Sequence, residues 1–123
     1  MAAPNIINAV TITGLTTSIG LGTTSLTNLL SNSSSSNKVF KINTVFLTNI
    51  SSSQVNVDVN LHNDAAGIGT YCSFARSFVI PSRSSLVVIS KDSPFYMEEN
   101  RCLSVVASVT NSIHAHCSYE SVS

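Results

Sequence analysis

The sequence predicts an all-β protein: an antiparallel β-sandwich or jelly-roll-like barrel with an extended N-terminal arm. Three observations lead there. In "QVNVDVNLH", Val55, Val57, Val59 and Leu61 alternate with Asn56, Asp58, Asn60 and His62, the period of a strand with one buried and one wet face. From Lys38 onward, short apolar runs recur between turn residues, as in sandwiches and barrels. No segment keeps helical spacing over three turns.

Taken in order, residues 1–37 carry no charged side chain and end in the polar tract "SNSSSSN", which has nothing to bury. The abrupt change at Lys38 divides the chain into an arm, 1–37, and a sandwich, 38–123. Within the arm, "NAVTITG" and "TTSLTNLLS" hold β-branched residues in alternation and can add strands to a sheet. Two readings stay open: an arm that reaches a neighbouring subunit, or the first strands of the domain itself. On the first, the apolar residues Val10, Ile12, Leu26, Leu29 and Leu30 are the candidate interaction residues, because sheet edges pair with other chains.

"KVFKINTVFLTNI" is apolar on both faces, as a central or interface-facing strand is. After "QVNVDVNLH" the loop "NDAAGIGT" supplies Gly67 and Gly69. It lacks the phosphate-cradle patterns, and no helix follows. "CSFARSFVI" closed by Pro81, then "SLVVISK", "PFYMEE", "RCLSVVASV" and "SIHAHCSYESV" read as further strands, with turns at "PSRS", "KDSP", "EEN" and "TNS".

The 123 residues suit one domain. Hydrophobic residues make up 43% and the mean hydropathy is +0.29, enough apolar material for a core. Charged residues are only 10% and the formal net charge is zero, against about 25% charged in typical domains. Such a surface promotes association, so a homo-oligomer or a larger assembly is expected. The scattered Lys38, Lys41, Arg76, Arg83, Lys91 and Arg101 give no basic patch for nucleic acid or an anionic membrane. No apolar run reaches the ~18 residues of a membrane span. "MAAPNIINAVTITG" has no basic region ahead of an apolar stretch, so a secretory signal is not expected.

Residues with chemistry form no recognisable constellation. Cys72, Cys102 and Cys117 lie in apolar runs outside any CxxC pattern and read as buried free thiols, with one disulfide left open. In "SIHAHCSYESV" a strand puts Ile113, Ala115, Cys117 and Tyr119 on one face and His114, His116, Ser118 and Glu120 on the other. The cysteine therefore parts from the histidines. His114 and His116, completed by His62 or Glu120, are half a zinc site at most, without the tight Cys/His pairs that mark one; no metal or other cofactor is expected. No serine has a nucleophile-elbow context. Glu98 and Glu99, adjacent in extended chain, point apart and read as a solvated turn rather than an acid–base pair. Asp58 lacks the glycine and distal glutamate of a calcium loop. No catalytic residue is assigned, and no enzyme is expected.

The segment "SLVVISKDSPFYMEENRCLSVVAS", followed by "CSYESVS" and supported by "MAAPNIINAVTITG" and "KVFKINTVFLTNI", resembles small virion structural proteins of tailed bacteriophages, particularly of cyanobacterial and marine phages. In that pattern Leu86 to Lys91 form an apolar strand and Lys-Asp turn, Phe95 to Glu99 an aromatic strand and acidic pair, and Ser118 to Glu120 a terminal strand. "HAHC" is not part of it. The resemblance implies a non-enzymatic role on the virion after synthesis in the host cytoplasm, with the major capsid protein or other virion proteins as partners. A capsid cement or decoration protein is the first expectation. A neck or tail component is the second. A carbohydrate-binding adhesion module is the alternative from another class, weakened by the absence of Trp among eight Phe and Tyr.

Overall fold

The computed structural model describes residues 9–123, and every described element is a strand or a connection. The strands are β1 (Ile12–Gly20), β2 (Thr27–Asn32), β3 (Val39–Asn49), β4 (Val55–His62), β5 (Tyr71–Ile80), β6 (Ser85–Ile89), β7 (Phe95–Met97), β8 (Arg101–Ala107) and β9 (Ile113–Val122). One sheet, here sheet A, runs β1-β9-β3-β6, with the short β7 end to end with β6 along β3; sheet B runs β2-β8-β4-β5. All pairings are antiparallel. With β6 and β7 taken as one interrupted strand, the five strands of sheet A and the four of sheet B follow the order of a jelly roll. The sheets remain separate and no closed barrel forms.

Physical patterning explains the layers. Val55, Val57 and Val59 are buried while Asn56 stays exposed, and each buried valine contributes about 1.5–3 kcal/mol. They face Ile42, Val45 and Leu47 of β3, and Ile113, Ala115 and Cys117 of β9, in one core cluster. β3 is a central strand, as its composition led one to expect, paired with β9 on one edge and with β6 and β7 on the other. The turns close through left-handed backbone: Asn37, Asn100 and Asn111 have φ near +55 to +59°, a conformation asparagine tolerates well.

The composition change at residue 37 does not divide the structure into two units. β1 pairs with β9 in sheet A, and β2 pairs with β8 in sheet B. Leu21 and Leu29 belong to the core cluster. Of the two readings of the charge-free segment, residues 12–32 follow the second: they are the first strands of the domain. Apolar β-branched side chains need a sheet to cover, and the strands of the same chain supply it.

Candidate interaction surfaces

The candidate residues of the charge-free segment separate by burial. Val10, 93% exposed, and Ile12, 60% exposed, stand at the start of β1, and Leu26 is exposed ahead of β2. Leu30 is partly buried against the core. Leu29, at 5% exposure, is a core residue, so its place among the candidate interaction residues is corrected: it sits at the register shift between Asn28 and Leu30, where the strand irregularity lets it pack inward. Residues 1–8 lie outside the described residues, so "NAVTITG" is seen only from Ala9 onward.

β1 is an edge strand of unusual regularity. Its nine residues pair with β9 without a register shift. Thr11 N donates to Ser123 O at 3.0 Å and Ser123 N returns a bond to Thr11 O at 2.9 Å; at the far end Leu21 N donates to Ile113 O at 2.9 Å. Antiparallel ladders alternate between bonded and non-bonded pairs, so the odd-numbered residues bond to β9. The backbone groups of Ile12, Gly14, Thr16, Ser18 and Gly20 point outward. This edge has no proline, no charge and no bulge, the three usual protections against pairing with another chain.

The other edges are blunted. β5 exposes Phe78, Val79, Tyr71 and Phe74, but its register breaks on both sides of Val59, Ser77 has φ +50°, and Arg76 lies on the strand. Ser77 N is held by Asp58 Oδ1. β2 shifts register between Asn28 and Leu30. β6 has only five residues.

The middle of sheet B's outer face, at Asn60, His62, Cys102 and Ser104, is covered by the chain itself, while Asn28, Ser31, Tyr71 and Ser73 around it stay exposed. Register aligns Asn28, Ser104, Asn60 and Ser73 in one row, and Ser31, Cys102, His62 and Tyr71 in the next. Loop 63–70 returns across it. Asn28 Nδ2 donates to Ala66 O at 3.1 Å, and Ala65 N donates to Asn100 Oδ1 at 3.1 Å. Asp64 accepts from Gly69 N at 2.8 Å and from Ile68 N at 3.3 Å. The Gly69 amide, more than any other group, holds the Asp64 carboxyl below its ordinary value, against the opposing effect of burial.

Beneath the loop His62 bridges Ser104 Oγ at 2.7 Å and Gly69 O at 3.2 Å. The expectation that Asn60 and His62 lie on a wet face is therefore corrected: both are buried, because neighbours satisfy their polar atoms. A serine–histidine contact of this length is also the geometry of an activated nucleophile. Here both residues are buried and the third partner is a backbone carbonyl, which makes the pair a clamp on the loop.

The thiols and acids also need corrections. All three cysteines are free, and Cys102 and Cys117 are buried, but Cys72 is exposed on the edge strand β5. Burial pushes the Cys117 thiol up to about 12 and raises Cys102 as well. Glu98 is exposed as expected of a turn. Glu99 is not: it is 9% exposed, and neither carboxyl oxygen has a hydrogen-bond partner among the described residues. The turn is tied to β2 by Asn100 N donating to Asn32 O at 2.8 Å, which draws Glu99 inward.

The outer face of sheet A stays open. His114 is exposed and His116 half-buried, opposite in direction to the buried Ala115 and Cys117. His116 Nδ1 meets Ser18 Oγ at 2.8 Å, and its ring stacks on Phe46 at 4.6 Å. No group of three or more His, Cys, Asp or Glu among the described residues is placed to hold a metal ion. Among the described residues no helix is long and apolar enough to cross a membrane.

No protein-family model matches the chain, and no curated protein matches it. Among solved structures, it is similar to a chain from "Crystal structure of the T13 IBDV viral particle reveals a missing link in icosahedral viruses evolution". The TM-score is 0.53 at 9% identity, over 90% of this chain and 31% of that chain. What is shared is the fold. The present chain thus corresponds to under a third of that particle protein.

Proposed function

We propose that this chain is a virion structural protein, a cement or decoration protein of a phage capsid that binds the major capsid protein and neighbouring copies through the free edge of β1. The observation that carries the reading is that edge: five residues with outward backbone groups on a regular, uncharged strand, a template for strand addition. The sparse charge, the fold held in common with a chain of an icosahedral virus particle and the phage-like pattern of Leu86 to Lys91, Phe95 to Glu99 and Ser118 to Glu120 support it.

The test is Ser18→Pro. At Ser18 the N–H faces away from β9, so proline removes an outward donor and keeps the internal ladder. Ser18→Ala is the control, since it loses the hydroxyl contact to His116 and keeps the N–H. Both variants are expected to fold, and only Ser18→Pro should fail to decorate particles that lack the protein. Normal decoration by Ser18→Pro would overturn the edge assignment. Copies confined to one vertex in particle images would replace the cement reading with a neck or tail role.

A further inference from the structure

The open face of sheet A holds a built trough. Register places Gly14, Glu120, Lys41 and Tyr96 in one row across β1, β9, β3 and β7, on strands about 4.8 Å apart. Glu120 Oε2 lies 3.8 Å from Lys41 Nζ and accepts from Asn43 Nδ2 at 3.3 Å. Gly14 puts no side chain opposite Glu120, and a Cβ built there would meet nothing within 4 Å. The result is a cavity of about 490 Å³ bordered by Thr16, Asn43, Lys91 and Ser118. A second hollow of about 200 Å³, lined by Ile12, Tyr96 and Val122, shares Lys41 and Glu120 with it.

The two hollows differ in chemistry. Around the ion pair, a carboxylate, an amide and an ammonium present acceptors and donors in fixed positions, as a ligand with adjacent hydroxyls requires. At the other end Tyr96, 50% exposed, offers an aromatic face whose negative quadrupole attracts polarised C–H groups. Lys91 borders the polar end and, among the described residues, has no carboxylate within ion-pair distance.

We propose that this trough binds a saccharide: one ring lies on Tyr96, its hydroxyls engage Glu120, Lys41 and Asn43, and an acidic substituent faces Lys91. The trough adjoins the proposed virion contact and shares Ile12, Gly14 and Thr16 with it, but it uses the sheet face, where side chains stand perpendicular, whereas strand addition uses the backbone edge.

The experiment is a screen of the purified protein against neutral and uronic- or sialic-acid-bearing oligosaccharides, followed by titration of the best binder. Gly14→Leu fills the trough where there is free space, and Tyr96→Ala removes the platform. Each is expected to weaken binding about tenfold, the loss of one good contact, with an unchanged melting temperature. Lys91→Ala should weaken acidic saccharides more than neutral ones. Ser18→Pro should bind saccharide normally, which keeps this proposal distinguishable from the edge contact. Absence of binding across the screen would overturn it, as would affinities insensitive to both Gly14→Leu and Tyr96→Ala. Equal effects of Lys91→Ala on acidic and neutral ligands would overturn the assignment of the acidic end.

Discussion

The outer faces of the two sheets start from similar material and end in opposite states. Sheet B carries Asn28, Ser104, Asn60 and Ser73 in a row, and sheet A carries Gly14, Glu120, Lys41 and Tyr96. The first row is neutral. Its groups pair with one another and with loop 63–70, as in Ser73 Oγ to Asn60 Oδ1 at 2.7 Å and His62 to Ser104, and so Ser104 and Asn60 are buried at little cost. The second row contains two charges, which are expensive to take out of water. Lys41 and Glu120 remain about a third exposed. The middle of a polar sheet face can thus be covered by its own loop when it is neutral and mutually satisfied, whereas a charged row stays in contact with solvent.

The largest expected effect tests whether either face exists without the charge-free segment. A chain beginning at Lys38 loses β1 and β2, one edge strand from each sheet, together with Leu21 and Leu29 of the core. Two leucine-sized losses at about 2–5 kcal/mol each rival the total stability of a small domain, about 5–15 kcal/mol. No cooperative thermal transition is expected by circular dichroism. A sharp transition would show that residues 38–123 close a sandwich alone and that the first strands are an appendage.

The seal over sheet B is the next point at which the comparison can be broken. Gly67 has φ +76°, and a Cβ there would run into the Asn28 side-chain amide. Gly67→Val is expected to cost about 1–3 kcal/mol in backbone strain and to lift the loop. The cysteines report the outcome. Cys72 should react with a thiol reagent in the native protein. Cys102, in the row beneath the loop, should become reactive only in the variant. Cys117, inside the core with its thiol pushed up to about 12, should stay protected in both. If Cys102 remained unreactive in a folded Gly67→Val protein, the loop would not be its cover.

The sequence made the sandwich legible wherever a strand's pattern is local. Val55, Val57 and Val59 announce their inward face, the doubly apolar β3 announces its central place, and the Cys117–His116 split follows from alternation alone. The failures are long-range. His62 and Asn60 read as wet residues because the loop that covers them bonds to Asn28, more than thirty residues earlier in the chain. Glu99 reads as a solvated turn because its burial depends on Asn100 bonding to the end of β2. Leu29 reads as part of a free arm because its partners lie in β8 and beyond. The trough was illegible too: Gly14, Lys41, Tyr96 and Glu120 come from four strands, and only the register joins them.

Acid offers a milder probe of the seal. Asp64 holds the loop by accepting from the Gly69 and Ile68 amides, and its carboxyl is depressed chiefly by the first of these bonds. A carboxyl with a folded value below its unfolded one contributes stability above the unfolded value and loses it as pH falls through the folded one. The loop should therefore keep its protection above about pH 4, the ordinary aspartate range, and loosen below it, while the trough on sheet A, away from Asp64, is not tied to this group. Exchange protection factors of the Ile68 and Gly69 amides, followed by NMR from about pH 6 to about pH 2, should fall through that window. In Asp64→Asn the carboxamide cannot ionise, so protection should start lower and change less with pH. An Asp64→Asn protein with the same acid profile as the parent would mean that another group titrates the loop, and that the closure of sheet B does not depend on this carboxylate.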